Sequence, residues 1–287
     1  MLQCFPSGQV SISLQFFERL PKAFLAWAFA RKAVGCYRGR IDLGLALVTC
    51  SLILASVVRA GPPFVTDDPD VPPIGGWEIN IPFTLERTPG TTSMQTPLFD
   101  LNYGLPNIQL EFDIPVAVVQ DDRRGTAAGM GDILLGLKWR FFEDEHSHIQ
   151  LGTYPQVFAP TGDARSGLGS GRPTYELPLL AEKSWEKWTL YSEAEYWLQP
   201  APGQKNYWFF GTVLERDVND RLSLGLELFG NTQKEPGARP DIAFNIGGSF
   251  KLNEHLNVLF TGGRDISGDT KAMLYLGLQI LTKKPDK

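Results

Sequence analysis

Apolar and polar residues alternate along most of the chain, from Trp77 almost to its end. In the first such segment, Trp77, Ile79 and Ile81 alternate with Glu78 and Asn80. Strict alternation is typical of a β-strand with one apolar and one polar face, and roughly 9–11 residues let a tilted strand cross a bilayer. The pattern therefore predicts membrane-spanning strands. Twelve are expected, at residues 77–87, 94–104, 108–119, 130–142, 148–158, 174–184, 188–198, 206–216, 221–230, 241–251, 255–263 and 271–282.

The connections between these strands alternate between longer and shorter ones. Residues 120–129 and 159–173 are long, whereas 105–107 and 185–187 are short. Outer-membrane barrels have short periplasmic turns and longer external loops. We therefore predict an all-β fold, a closed antiparallel up-and-down transmembrane β-barrel of about twelve strands, in the cell outer membrane. An even strand number places both mature termini in the periplasm.

A soluble β-sandwich also has alternating strands, and it is the alternative to a barrel. Its connections need not alternate in length from one end to the other. The expected outward face also carries aromatic residues near strand ends, as the interfacial girdle of a membrane barrel does. These features favour the barrel. The predicted girdle consists of Trp77, Tyr103, Trp139, Phe141, Trp188, Tyr196, Tyr207, Phe209 and Phe250.

The first 60 residues have a different composition. An apolar run from Leu43 to Val58 follows Arg38 and Arg40, and Ala60 is a small residue suited to a cleavage site. This order indicates a secretory signal peptide cut after Ala60. An anchoring helix is the alternative, although the run is short for one. A lipoprotein site at Cys50 is disfavoured because Thr49 stands where a smaller residue is expected.

The expected organisation of the chain follows from these segments. Residues 1–60 form an N-terminal extension and signal, in which residues 1–40 are too long for a normal basic region and suggest a start assigned too far upstream. Residues 61–76 form a periplasmic segment, 77–282 the barrel, and 283–287 a short polar tail.

Cysteine positions and charge agree with export and narrow the range of partners. All three cysteines precede the proposed cut, so the mature chain has no thiol chemistry to offer. Beyond Ala60 there are 20 basic and 30 acidic residues, a formal charge near −10. A strongly negative protein is a poor partner for nucleic acid.

Several short motifs resemble one bacterial family. They lie in residues 61–69, 76–80, 101–105, 129–132, 138–141, 160–163 and 167–172. On these motifs the chain resembles an outer-membrane family named for a meta-pathway of phenol degradation, whose members are often described simply as transporters. The resemblance covers about Gly61 to Leu281. It implies a barrel with a transport role. The expected partners of such a barrel are the lipid bilayer, the outer-membrane assembly machinery and a small-molecule solute. The polar residues after Leu281 depart from the aromatic ending of many such barrels.

Strand parity predicts a charged interior. The expected inward carboxylates are Glu78, Asp100, Glu111, Asp113, Asp132, Glu176, Glu182, Glu193, Glu195 and Glu227. The expected inward bases are Lys138, Arg140, Arg216 and Arg221. A carboxylate-rich wall favours cations. The alternative, that these charges pair across a filled lumen and only stabilise the barrel, remains open.

Parity also places large aromatic residues on the inner face near the outer rim. They are Phe158, Trp197, Trp208, Phe210 and Phe229. Such a set could form an apolar vestibule for small hydrophobic or aromatic molecules. In the other interpretation, the same residues pack beneath the 159–173 loop, which then acts as a plug.

Candidate motifs for catalysis or metal binding are weak. The glycine-rich residues 167–171 lack the Lys-Ser/Thr of a phosphate loop, so an external loop is favoured. His146, His148 and His255 fall at predicted periplasmic turns, which argues against a metal centre or a Ser-His hydrolase. We expect no enzyme and no cofactor. The predicted function is passive diffusion of small solutes; a receptor or structural barrel, and an enzyme using carboxylates alone, are the alternatives.

Overall fold

A computed structural model describes residues 63–283. The predicted signal peptide and most of the polar tail lie outside the described residues. Within them no helix has the length and apolar character needed to cross a membrane. The strands are β1 (Trp77–Thr88), β2 (Thr91–Leu105), β3 (Ile108–Asp121), β4 (Gly125–Met130), β5 (Ile133–Asp144), β6 (Ile149–Thr153), β7 (Gln156–Ala159), β8 (Thr174–Trp185), β9 (Trp188–Leu198), β10 (Tyr207–Asn219), β11 (Leu222–Asn231), β12 (Asp241–Asn253), β13 (Leu256–Ser267) and β14 (Ala272–Leu281).

The strands form one closed antiparallel barrel. Strands β1 to β3 and β8 to β14 pair with their neighbours in sequence, and β1 also pairs with β14, from Glu78 opposite Leu281 to Arg87 opposite Ala272. Two barrel strands are interrupted. β4 and β5 both pair with β3 and together form one of them. β6 and β7 both pair with β5 and with β8 and together form the other. The predicted closed barrel of twelve antiparallel strands is confirmed.

One end of the barrel carries the short turns, the start of β1 and the end of β14; we call it the turn end. The other, the loop end, carries the longest connections, including residues 160–173 between β7 and β8. The predicted long connection at 120–129 is wrong, because most of it is strand in β3 and β4, and β1 and β2 are joined at this end by residues 89–90 alone. His146, His148 and His255 all lie at the turn end, in or beside turns, as predicted.

The two faces of the sheet are inverted relative to a soluble protein. On the outer face Leu226 and Ile246, which are paired across β11 and β12, are 54% and 59% exposed. Their inward neighbours Glu227 and Asn245 are 0% and 2% exposed. An apolar exterior around a polar interior is the arrangement that a lipid surround favours, because lipid tails offer no hydrogen-bond partners to polar side chains.

Strand β10 has the opposite orientation to the one predicted. Tyr207 and Phe209 face inward, whereas Trp208, Phe210 and Arg216 face outward. The strand begins with four consecutive aromatic residues and later has two adjacent charges, Glu215 and Arg216. Neither stretch alternates between apolar and polar residues, so the sequence does not show which side chains face inward. Cross-strand pairing decides the orientation.

The outward residues of β10 extend the aromatic exterior. The ring centroids of Trp208 and Tyr196 are 4.9 Å apart, and those of Trp208 and Phe210 are 5.9 Å apart. The Arg216 guanidinium lies 5.1 Å from the centre of the Trp188 ring near the turn end. An arginine is tolerated on this face because a long side chain near the membrane surface can reach the headgroups.

The exterior gives a first prediction. Leu226 lies mid-way along β11, so Leu226→Arg should destabilise the barrel in lipid vesicles by about 2–4 kcal/mol. Leu252→Arg, an outward position at the turn end of β12, is the control and should cost about 0–1 kcal/mol. The measurement is reversible guanidinium unfolding in vesicles. Equal costs at the two positions would contradict a lipid-facing exterior.

Candidate functional site in the barrel interior

Residues 63–73 lie inside the barrel, and we call them the inner segment. Thr66, Asp68 and Asp70 are all buried, at 2%, 3% and 5% exposure. The sequence predicts that this stretch lies in the periplasm, and the structure differs. The polar groups of the segment match those of the wall, so the segment finds its hydrogen-bond partners in the interior.

Two basic residues of β5 hold the acidic part of the inner segment. The Lys138 ammonium lies 2.8 Å from Asp67 Oδ1 and 3.9 Å from Asp68 Oδ1. The Arg140 guanidinium lies 3.4 Å from Asp70 Oδ1. Lys138 is completely buried, so its charge requires this pairing. Both bases point inward as predicted, but they pair with the segment.

The backbone of the inner segment is also bonded to the wall. The Thr66 amide donates to Glu227 Oε1 at 2.6 Å, and the Asp67 amide donates to Glu193 Oε2 at 2.9 Å. On the other side, the Thr261 hydroxyl donates to the Pro63 carbonyl at 2.8 Å. These bonds satisfy backbone groups that would otherwise be buried without a partner.

The wall has small residues where the inner segment passes closest. A Cβ atom at Gly211 would collide with the Thr66 side chain, and one at Gly225 would lie 2.7 Å from the Phe64 ring. Gly104 likewise leaves room for the carbonyls of the Pro72–Pro73 stretch. Glycine at these positions lets the segment fit against three separate strands.

The inner segment divides the interior into cavities. One of them, about 510 Å³, extends from Thr66 and Asp67 to Lys234 and Thr270 near the loop end; we call it the loop-end cavity. A second cavity of about 440 Å³ lies beside it and reaches the loop residue Leu168. A smaller one of about 120 Å³ faces the turn end. The loop-end cavity is large enough for a small organic molecule.

Carboxylates outnumber bases along the loop-end cavity. Glu111, Glu176, Glu193 and Glu195 line it, and no ion pair within residues 63–283 involves any of them. Lys138 is paired with the inner segment, and Lys234 lies 3.1 Å from Asp241. Among the described residues, acidic side chains without an ion-pair partner are therefore in excess around the loop-end cavity.

Four further charged residues that were predicted to face the interior lie in three different places. Glu227 faces inward and bonds the inner segment, and Asp113 stands opposite the inward Asp100. Arg221 lies in the β10–β11 turn, exposed at the mouth of the turn-end cavity. Arg216 lies outside the barrel, where the prediction was wrong.

Asp132 lies in the interruption between β4 and β5 and anchors the 160–173 loop. Its carboxylate accepts hydrogen bonds from the Gly162 amide at 2.9 Å and from the Ser170 amide and hydroxyl, both at 2.7 Å. Within the loop, the Ser166 hydroxyl bonds Asp163 and holds the pKa of that carboxyl below its usual range. The loop tip at Leu168 approaches Gly129, so it packs on the β4 side of the interior.

A network of amide side chains surrounds Asp100, and the sequence analysis did not identify it. Asn80 Nδ2 donates to Asp100 Oδ2 at 2.9 Å, and Asn102 Nδ2 donates to the other oxygen. Gln109 Nε2 donates to Asn102 Oδ1 at 2.6 Å. Alternation marks these residues as inward and polar, but only the register of β1, β2 and β3 brings them together.

Two groups of three carboxylates have oxygens within 4.8 Å of one another. They are Asp68, Asp70 and Glu182, and Asp100, Glu111 and Asp113. Lys138 lies beside the first group, and Asn80 and Asn102 donate to the second. These donors account for the closeness of the carboxylates, and we assign no metal to either group.

Five aromatic side chains face the interior near the loop end. Trp197 stacks between Phe158 and Tyr207, with ring centroids at 5.9 Å and 5.3 Å, and Phe209 lies 5.9 Å from Phe229. Phe158, Trp197 and Phe229 were predicted inside. Trp208 and Phe210 were also predicted inside but lie on the exterior, and Tyr207 and Phe209 take their places. We call these five inward residues the aromatic set.

Comparison with known proteins defines the family. Residues 64–277 match the family described as "Putative MetA-pathway of phenol degradation". The chain belongs to this family. The match extends from the inner segment to β14, so it covers both the barrel and the stretch that lies within it.

The fold of this phenol-degradation family member is that of known outer-membrane channels. It is similar to an outer membrane channel from Pseudomonas putida F1, with a TM-score of 0.62 and 17% identity over 78% of this chain and 100% of that one. It is also similar to the NanC porin, with a TM-score of 0.50 and 5% identity over 72% of this chain and 100% of that one. No curated protein matches the sequence.

The buried ion pair gives a second prediction for this family member. Lys138→Met leaves Asp67 and Asp68 without their ammonium partner, and breaking a buried pair commonly costs about 3–5 kcal/mol. The inner segment should therefore detach from the wall, and the Thr66 and Asp67 amides should lose at least about tenfold of their protection from hydrogen exchange. Lys183→Met, at an exposed lysine of β8, is the control and should leave that protection unchanged. Retained protection in the Lys138→Met protein would show that the pair does not hold the segment.

Proposed function

We propose that this protein is a passive channel of the outer membrane for small solutes, including hydrophobic or aromatic compounds. The observation that carries the proposal is the loop-end cavity of about 510 Å³, lined by carboxylates and by most of the aromatic set. A barrel serving only as a scaffold gains nothing from an unfilled interior of this kind. Movement would be driven by the solute gradient alone, and the proposal needs no cofactor and no catalytic residue.

The proposed orientation puts the turn end in the periplasm and the loop end outside the cell. The closing pair of β1 and β14 leaves Trp77 and Leu281 at the same end, so the barrel would begin and end on the periplasmic side, and the inner segment would enter the interior from there. Short turns at that end and longer loops at the other support this orientation. Export by the predicted signal and insertion by the outer-membrane assembly machinery are part of the proposal.

The acidic interior leads to a prediction about ion selectivity. Single channels in planar bilayers should prefer K⁺ to Cl⁻, because carboxylates that have no ion-pair partner among residues 63–283 line the loop-end cavity. Glu111→Gln should lower that preference, by roughly a factor of two for the loss of one nearby charge. The reversal potential under a KCl gradient measures it. Glu145→Gln, in an exposed turn, is the matched control. Anion preference in the unaltered protein would contradict the proposal.

A non-conducting barrel with a receptor or structural role is the second candidate. The inner segment favours it, since its charges and amides are bonded to the wall and it occupies part of the interior. Under the channel proposal the same segment sets the bore of the pathway. The two candidates differ in whether ions pass with the segment in place.

Displacing the inner segment separates these candidates. Gly211→Val puts a branched side chain where the Thr66 side chain lies, so the segment should shift and single-channel conductance should rise severalfold. Gly262→Val is the control, because its added Cβ would meet atoms no closer than 3.7 Å. If the unaltered protein conducts and Gly211→Val does not change it, the segment does not set the bore. If the unaltered protein does not conduct, the channel proposal fails and the second candidate stands.

A further inference from the structure

Carboxylates and aromatic rings are interleaved in one corner of the loop-end cavity. Across the strands, Trp197 pairs with Glu176 on one side and Tyr207 on the other. One step further from the loop end, Glu195 pairs with Phe209. Because side chains of cross-strand pairs lie on the same face, acidic and aromatic groups here are direct neighbours.

The carboxylates of this corner lack a basic partner among the described residues. Glu176 is 5% exposed, and its Oε1 has no hydrogen-bond partner in the described structure. Glu195 accepts a hydrogen bond from the Trp197 indole nitrogen, and its side chain and that of Glu176 also hydrogen-bond each other. Burying two carboxyl groups side by side without a countercharge is costly, and a bound cation would offset that cost.

The aromatic side of the corner is suited to a cation as well as to an apolar ring. Trp197 and Tyr207 stack at 5.3 Å with an angle of 14° between their planes. The Lys234 ammonium already lies 5.5 Å from the centre of the Tyr207 ring, so this wall holds a positive charge over an aromatic face. Cation–π attraction and apolar burial would act together on a ligand that has both a positive charge and a ring.

We propose that this corner binds small aromatic cations, with a protonated amine against Glu176 and Glu195 and its ring against Trp197, Tyr207, Phe209 and Phe229. This inference rests on the proposed channel function and names its substrate class as arylalkylamines. Neutral aromatic compounds fill the apolar side but leave the carboxylates without a cation. Aromatic carboxylates are repelled by the same groups.

The test compares three probes of similar size and different charge. Phenethylamine, 2-phenylethanol and 3-phenylpropionate are titrated at pH 7 into the detergent-solubilised protein by calorimetry. The amine should bind at least about tenfold more tightly than the alcohol, and the acid should bind more weakly still, because only the amine offers charge and ring together. Equal affinity for amine and alcohol would overturn the proposal.

Variants then separate the two parts of the site. Glu176→Gln combined with Glu195→Gln should weaken amine binding by about tenfold or more and leave alcohol binding within about twofold. Trp197→Leu should weaken both, since the ring loses its stacking wall. Glu235→Gln, in the exposed loop between β11 and β12, is the matched charge control and should change neither. Unchanged amine binding in the double variant would overturn the assignment of these carboxylates.

The same experiment distinguishes failure of the inference from failure of the channel. Binding is measured without ion flow. If the amine binds to a barrel that does not conduct, the channel proposal fails and the amine-binding site stands. Conductance without any preference for the amine would keep the channel and remove the site. Wild-type fold in each variant is checked by the heat-induced shift in electrophoretic mobility that folded barrels show.

Discussion

Closure of the sheet is the constraint on which the rest of the structure depends. The inside of a bilayer offers no hydrogen bonds, so a sheet that crosses it has to pair its own first and last strands, as β1 and β14 do here. Once the sheet is closed, its two faces are in different solvents. The outer face has leucine and isoleucine in contact with lipid, and the inner face encloses a volume that its own side chains have to fill or hydrate. Every later feature concerns that enclosed volume.

The inner segment follows from the same constraint. Lys138 faces inward and is fully buried, so its charge requires a partner, and among residues 63–283 it forms ion pairs only with Asp67 and Asp68. Arg140 is shared between Glu143 of its own strand and Asp70 of the segment. Asp67, Asp68 and Asp70 supply those partners from a part of the chain that is not in the sheet. The glycines at 104, 211 and 225 then leave the space it occupies. Barrel and segment are therefore one packing solution.

Sequence reasoning reached the fold because its evidence is local. Alternation within about ten residues predicts where the strands lie and which face of most of them is apolar, and the even number of strands predicts an up-and-down barrel. It failed for β10, where Tyr207 to Phe210 are all aromatic and the polarity that marks a face is missing. It also failed for the inner segment, whose partners Glu193, Glu227 and Thr261 lie between 126 and 198 residues away. Such contacts leave no periodic trace in the sequence.

The inner segment also determines the charge of the interior. Lys138 and Glu111 are diagonal neighbours on the adjoining strands β5 and β3, but Lys138 forms its ion pairs with Asp67 and Asp68 of the segment. Asp67, Asp68 and Asp70 of the segment pair with Lys138 and Arg140, so these two bases are not available to the wall carboxylates nearer the loop end. Those carboxylates are the ones that lie among Trp197, Tyr207 and Phe209. In the proposed channel, the stretch that narrows the interior would also leave its wider part acidic, so the same few residues would set both size selection and charge selection.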